Sequence, residues 1–176
     1  MMDYEIKDGV AIFPEGTTVI GYLYYDHDSI TSVVIPKSVM YISSGAFKDC
    51  SSLTSIVIPE GVIEIGSEAF WGCTSLKSIV IPENVRVIDP YVFHGCTSLK
   101  NIVIPKNVTK IGKQAFYNTK KLANIVVKTK NLKSVGSKAL YGISKKAEIR
   151  VPTSKYKKYQ KVFKGKGQKS SVKIKK

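Results

Sequence analysis

From Ser52 onward, apolar positions recur with a period of 23 residues and no slippage. SLTSIVIPEGVIEIGSEAFWGCT (52–74) is followed by SLKSIVIPENVRVIDPYVFHGCT (75–97) and SLKNIVIPKNVTKIGKQAFYNTK (98–120). A looser copy spans Ile30 to Ser51, and a worn one Leu122 to Ser144. Self-similarity at a period of roughly 20 to 29 residues marks a solenoid, in which each rung contacts only its neighbours. The β-branched triplet Ile56-Val57-Ile58 and its copies predict one short strand per rung. Proline follows at Pro36, Pro59, Pro82 and Pro105. Lacking an N–H, it ends the strand-to-strand ladder at the same point each time. A Gly-favouring column comes next (Gly66, Gly112, Gly136, with Ser43 and Asp89 as substitutes) and predicts a corner with positive φ. Ala46-Phe47, Ala69-Phe70, Val92-Phe93, Ala115-Phe116 and Ala139-Leu140 then predict a short helical segment on the outer side. Its small residue lets that segment approach the sheet, and its large one fills the space between layers.

The ends depart from the repeat as caps should. Phe13-Pro14-Glu15-Gly16 through Ile20-Gly21 echoes IPEGVIEIG, with Tyr24-Tyr25 standing where Ala-Phe would be. Residues 1–29 therefore read as an N-terminal cap and degenerate first repeat, and residues 30–152 as the repeats proper. Residues 153–176 read as a basic C-terminal cap made of a helix and an edge strand. Thr153 or Ser154 can N-cap the helix. Tyr156, Tyr159 and Phe163 form its apolar stripe, and Gly165 and Gly167 stop it. Ser171 to Lys175 alternates like a final strand.

Aligned, the unit reads L-x-x-I-x-I-P-x-x-V-x-x-I-G-x-x-A-F-x-x-C from about Ile30 to Pro152. This resembles the BspA-like leucine-rich repeats, also called the Treponema pallidum type, over about two thirds of the chain. The resemblance implies an α/β repeat solenoid: a right-handed coil of leucine-rich-repeat type with a C-terminal helical cap. A parallel sheet of short strands would line one face and short helical or irregular segments the other. Members of that family are mostly surface or secreted proteins of bacteria and some protists, implicated in adhesion and protein binding, and are not enzymes. Departures are Thr119 and Ile143 in the Cys column, Lys128 for Pro, and one extra residue in the 122–144 copy. They predict looser or differently curved last rungs.

Composition narrows the setting. A chain of 176 residues that is 43% hydrophobic can bury a sizeable core. No apolar run approaches the roughly 18 to 20 residues of a membrane span. The N-terminus MMDYEIKDGVAIF lacks the basic start and apolar stretch of a signal peptide. The expectation is the cytoplasm if the sequence is complete, and the cell surface or outside if a leader precedes it. The net charge of +15 is split unevenly: residues 1–98 hold 5 Lys+Arg against 12 Asp+Glu, and residues 99–176 hold 23 against Glu148 alone. In a solenoid sequence order is spatial order, so one end is acidic and the other strongly basic, a field that steers anionic partners.

Three surfaces and one column carry candidate chemistry. If the isoleucines of each triplet fill the core, the opposite face of the strands presents Val34, Val57, Val80, Val103 and Val126. Beside them run Ser32, Ser55, Ser78, Asn101 and Asn124. An exposed apolar stripe of that extent marks a protein-binding or self-association surface. After the Phe column come Lys48, then Trp71, His94, Tyr117 and Tyr141, an aromatic row that can stack on sugars, bases or partner side chains, or lie over the Phe column as a lid. The lysines of the C-terminal segment (Lys155, Lys157, Lys158, Lys161, Lys164, Lys166, Lys169) form the rival site, an electrostatic dock for anionic glycan, anionic surface or non-specific nucleic acid. Lysine is a point charge, poor at the bidentate reading of bases, which argues against sequence-specific nucleic-acid recognition. Cys50, Cys73 and Cys96 fall 23 apart and form a vertical column of small buried thiols. Rungs about 4.8 Å apart also leave a Cys73–Cys96 disulfide open. A column does not converge on a metal, and the residues carry no cofactor motif. Cys96, His94 and Asp89 share a rung, but a thiol predicted inward cannot act as a nucleophile. GKGQKSS (165–171) lacks phosphate-loop spacing. Asn107-Val108-Thr109 is a glycosylation sequon, relevant only in a eukaryotic secretory pathway.

Overall fold

The computed structural model describes residues 4–23 and 28–176, and in it the rungs stack as two ladders of short strands. The first ladder begins with an antiparallel hairpin of β1 (Glu5–Lys7) and β2 (Val10–Ile12). Its Asp8-Gly9 turn has φ +50° and +76°, the doubly left-handed geometry that suits a two-residue hairpin. It continues through β4 (Ser32–Val34), β6 (Ser55–Ile56), β8 (Ser78–Ile79), β10 (Asn101–Ile104), β12 (Asn124–Val127), β14 (Glu148–Arg150) and β15 (Lys173–Lys175). The triplet strands expected from sequence are these. The second ladder is additional: β3 (Val19–Ile20), β5 (Tyr41–Ile42), β7 (Glu64–Ile65), β9 (Val87–Ile88), β11 (Lys110–Ile111) and β13 (Ser134–Val135), each just before the Gly column. Apart from the first hairpin, every pairing is parallel, with Ser55 beside Ser78, Asn101 beside Asn124, and Tyr41 beside Glu64. The pairing is not continuous: the first ladder divides into β1-β2-β4, β6-β8 and β10-β12-β14-β15, and the second into β3-β5-β7 and β9-β11-β13.

The outer segments are irregular rather than helical. Glu68, Phe70 and Gly72 donate their N–H groups to the carbonyls of Pro90, Val92 and His94 at 3.1, 2.9 and 2.9 Å. Tyr91, Phe93 and Gly95 repeat this toward Lys113, Ala115 and Tyr117. Positive φ at Glu68 (60°) and Gly72 (73°), and at Tyr91 (62°) and Gly95 (74°), turns alternate amides along the stack. Backbone groups that a helix would satisfy within its own turn are thus satisfied by the next rung.

The Gly column has a different cause from the one expected. Gly66, Gly112 and Gly136 do not have positive φ. A Cβ on Gly66 would lie 2.6 Å from the Ser44 nitrogen, and one on Gly112 lies 2.5 Å from the Pro90 nitrogen. Close backbone approach between rungs, not a left-handed corner, demands glycine there.

Inside, each rung contributes the same set. Leu53, Ile56, Ile58, Val62, Ile65, Ala69, Phe70 and Cys73 are buried, as are their equivalents above and below except for the partly buried Ile35. The rings of Phe47, Phe70, Phe93 and Phe116 stack with centroids 5.3, 5.7 and 5.5 Å apart. Stacking like on like buries a continuous core that no single rung could close.

At the C-terminus the cap is a modified rung. Thr153–Lys155 forms a tight 3-10 turn leading into α1 (Tyr156–Val162). Neither Thr153 nor Ser154 caps the helix: Lys155 holds the N-cap position and makes no side-chain cap bond. Tyr159 and Phe163 are fully buried and meet edge to face at 6.4 Å. Register shifts from 23 residues (Asn101 to Asn124) to 24 (Lys110 to Ser134), which places the extra residue between β12 and β13. The Tyr159 hydroxyl enters that rung, donating to the Thr129 carbonyl (2.9 Å) and accepting from the Leu132 N–H (3.0 Å). The helix thus stands where a second strand would be. Leu140 donates to the Lys166 carbonyl, continuing the outer path, and β15 continues the first ladder. The Tyr24-Tyr25 pair lies outside the described residues.

Candidate binding surface

Strand alternation sends Ile56 and Ile58 inward and leaves Ser55 and Val57 outside. Val57 is 80% exposed and Val80 72%, and Val34 and Val103 are also exposed while Val126 is half-buried. Strands β6 and β8 end at Ile56 and Ile79, so Val57 and Val80 lie just past the paired residues, whereas Val103 and Val126 lie within longer strands. Ser55, Ser78, Asn101 and Asn124 line the neighbouring column, exposed, and the Asn124 amide donates to the Asn101 amide oxygen at 2.7 Å. The nine-strand register adds residues that sequence reading missed: Ile12 sits beside Val34 and Glu5 beside Ile12 at one end, and Arg150 and then Lys175 follow Val126 at the other.

The second ladder widens the apolar surface with exposed Val19, Met40, Tyr41 and Ile63. Where the pairing breaks, grooves open. One of about 570 Å³ lies between the β4 and β6 rungs, lined by Val34, Ile35, Val57 and Pro59 with Lys37 and Glu60 at its rim. Another of about 610 Å³ lies between the β7 and β9 rungs, lined by Ile63, Glu64, Arg86 and Asp89. Burial, with Glu64 nearby, raises the Asp89 carboxyl above the ordinary carboxylate range.

The aromatic row is a stack of rings facing one another. Trp71 and His94 lie 3.8 Å apart, His94 and Tyr117 4.8 Å, and Tyr117 and Tyr141 4.9 Å, all close to parallel. Lys48 covers the far side of Trp71 at 5.0 Å while holding Glu68 at 2.7 Å. The inner rings have spent both faces on their neighbours, which leaves edges, not faces, toward solvent. Burial lowers the His94 pKa.

The three cysteines are free and buried. Cys73 and Cys96 donate their thiols to the carbonyls of Phe47 and Phe70, each at 3.1 Å. Burial pushes the Cys50 thiol up to about 12 and raises the other two as well. No grouping of three His, Cys, Asp or Glu suited to a metal occurs among the described residues.

On the basic end, Lys155, Lys157, Lys158, Lys161, Lys164, Lys166 and Lys169 surround α1 and the loop after it, and none of them forms an ion pair among the described residues. The ion pairs of that half are Lys128 with Glu83, and Arg150 and Lys175 with Glu148, whose carboxyl they hold below its ordinary pKa. No helix among the described residues is long and apolar enough to cross a membrane.

A family model described as BspA type leucine-rich repeat region matches residues 17–146 and 98–176, in six copies. A comparison with curated protein sequences finds no significant match. Among solved structures, a Treponema pallidum leucine-rich repeat protein is similar with a TM-score of 0.68 at 26% identity, covering 99% of this chain and 78% of that one. The pneumococcal vaccine antigen PcpA is similar in fold with a TM-score of 0.69 at 22% identity; this chain spans 47% of its length.

Proposed function

The chain belongs to the BspA-type leucine-rich repeat family, and from that premise we propose that it is a non-catalytic module that captures a protein partner, in an adhesion role, through the sheet face around Val57, Val80 and Val103. Proteins of the family are in general protein-binding or adhesion modules, and are commonly found at the cell surface. The observation that carries the reading is the exposed valine column. A soluble solenoid gains nothing from presenting large apolar groups to water on consecutive rungs, whereas a binding surface gains affinity from burying them. Val34, Ser55, Ser78, Asn101 and Val126 complete the contact strip, and the groove beside Val34 and Val57 accepts an anchoring side chain. The test is capture from extracts of cells or host tissue by the wild-type chain and by the variant Val57→Lys/Val80→Lys/Val103→Lys, with circular dichroism to verify folding. The reading expects the folded triple variant to lose the captured protein; equal capture overturns it.

A second reading rests on a separate observation, the 23 cations against one acid in residues 99–176. Under it the C-terminal lysines dock the module on an anionic glycan or other polyanion. Such binding releases counterions and weakens steeply with salt. Heparin retention that survives about 1 M salt, or that survives removal of the charges by Lys→Gln changes at Lys155, Lys157, Lys158 and Lys161, counts against it.

A further inference from the structure

We infer that the second ladder carries a latch at Asp89: its carboxylate holds β7 and β9 apart, and the ladder closes across that junction when the carboxyl is uncharged. The device is independent of what the sheet face captures. The evidence is a gap in an otherwise regular pattern. On one side of the gap, Met40 and Ser43 donate their N–H groups to the Thr18 and Ile20 carbonyls, both at 2.8 Å, and Ile63 and Gly66 donate to Met40 and Ile42 at 2.9 and 2.8 Å. On the other side, Thr109 and Gly112 donate to Arg86 and Ile88 at 2.8 and 2.7 Å, and Lys133 and Gly136 to Thr109 and Ile111, both at 2.8 Å. Among the described residues the corresponding bonds from Arg86 to Ile63 and from Asp89 to Ile65 are both missing, and β7 does not pair with β9.

The breaks in the first ladder are milder, for each keeps a main-chain bond: Thr54 to Thr31 at 3.1 Å, and Lys100 to Lys77 at 3.5 Å. Nor do the two rungs part as a whole at the Asp89 junction. β6 still pairs with β8, the Asn84 amide donates to the Glu60 carbonyl at 2.9 Å, and the Glu68 N–H donates to the Pro90 carbonyl at 3.1 Å. The opening is a slot tied at both ends, and it forms the groove of about 610 Å³. Asp89 stands in the column where Gly66, Gly112 and Gly136 allow close approach. Bulk alone is not the wedge, because Ser43 stands in the same column and keeps its bond. What Asp89 adds is charge. Closing the slot takes its carboxylate further from water and toward Glu64 on the preceding rung, and both disfavour the ionised form. Lys110 on the following rung acts in the opposite sense, and Arg86, which lines the groove, forms no ion pair with either acid. A neutral carboxyl meets neither penalty, so the closed ladder holds the proton more tightly than the open one, and lowering the pH favours closure. Closure removes the groove beside Ile63 and gives the second-ladder surface a different shape in acid.

Hydrogen exchange of single amides by NMR, corrected for the intrinsic rate at each pH, reads the latch, with circular dichroism to verify folding. At pH 7 the amides of Arg86 and Asp89 are expected to be about 100-fold less protected than those of Thr109 and Gly112, which make the equivalent bonds. Their protection rises as the pH falls from about 7 to about 4, through the range where a raised carboxyl gains its proton, while Thr109 and Gly112 change little. Asp89→Ser places at this position the residue that Ser43 shows to be compatible with closure. In it the amides of residues 86 and 89 should be protected at both pH values, to within about threefold of Thr109 and Gly112. Asp89→Gly should behave alike. Wild-type amides at Arg86 and Asp89 that match their neighbours at pH 7 overturn the proposal. So does a slot that stays open in both variants, or wild-type protection that is unchanged between the two pH values.

Discussion

Replacing Tyr159 by Phe removes one oxygen and keeps the ring that fills the C-terminal end of the core. That oxygen holds two main-chain groups of the rung containing the extra residue, the Thr129 carbonyl at 2.9 Å and the Leu132 N–H at 3.0 Å. Tyr159, Thr129 and Leu132 are all fully buried, so water does not replace the lost partner without cost. At a net value of about 1 kcal/mol per hydrogen bond the loss is about 2 kcal/mol, and larger if both orphaned groups stay dry. In a chain of this size that lowers Tm by about 4 to 8 °C. Because a solenoid's stability is a sum of rung and interface contributions, the damage is local, as fraying from the cap inward. Hydrogen exchange at the Leu132 amide should therefore quicken by about 30-fold, the equivalent of 2 kcal/mol. Tyr156→Phe is the control: its hydroxyl reaches the Ile174 carbonyl only at 3.4 Å from a half-buried site, and its loss should cost under about 0.5 kcal/mol. If Tyr159→Phe melts with the wild-type chain, or costs no more than Tyr156→Phe, the cap is not held as described.

Gly112→Ala should destabilise by about 3 kcal/mol or more in urea titration, because the new Cβ falls 2.5 Å from the Pro90 nitrogen and 2.7 Å from the Asp89 carbonyl carbon. Gly165→Ala, with φ +67° and nothing within 4 Å, should cost only about 1 to 2 kcal/mol, and equal costs would refute the close-approach explanation. The three thiols should fail to react with DTNB at pH 8 in the folded chain and all titrate in denaturant without reductant; a shortfall on unfolding would mean a bridge. Asp89→Asn addresses pH. A folded pKa raised by burial means the unfolded chain gives up this proton first, so stability from this group falls as pH rises from the unfolded value of about 3.9 through the folded one. Asp89→Asn should therefore gain on wild type at pH 7, with the gain shrinking toward pH 3; a gain independent of pH would refute the assignment.

Sequence made the first ladder legible because its strands from β4 to β10 are β-branched triplets closed by proline, a signal that fades only toward the two ends. It concealed the second ladder because Tyr41, Glu64, Val87, Lys110 and Ser134 share no side-chain type. What they share is a backbone path, with a single inward Ile or Val beside them. Ala-Phe predicts helical outer segments, yet left-handed residues there include Glu68, Tyr91, Gln114 and Lys138, none of which advertises positive φ. Glycine misleads in the opposite sense: Gly66 and Gly112 mark contact between rungs, a property of the neighbour rather than of the local chain. For the candidate surface, period alone placed the valine column and the aromatic row. Their exposure and the stacking that occupies the ring faces depend on packing between rungs, and the extension to Ile12, Glu5, Arg150 and Lys175 depends on register at the ends, where the repeat no longer matches itself.

The central claim is that apolar contact on the sheet face, not the lysine-rich end, provides recognition. It is tested most directly by binding isotherms of the captured protein against the wild-type chain and the Val57→Lys/Val80→Lys/Val103→Lys variant, at about 0.15 M and about 1 M salt. The account predicts wild-type affinity that changes little with salt and falls by about 100-fold or more in the variant, since burying each valine is worth about 1.5 kcal/mol or more. Affinity that collapses in high salt while the variant binds as well as wild type would contradict it and assign recognition to the lysines.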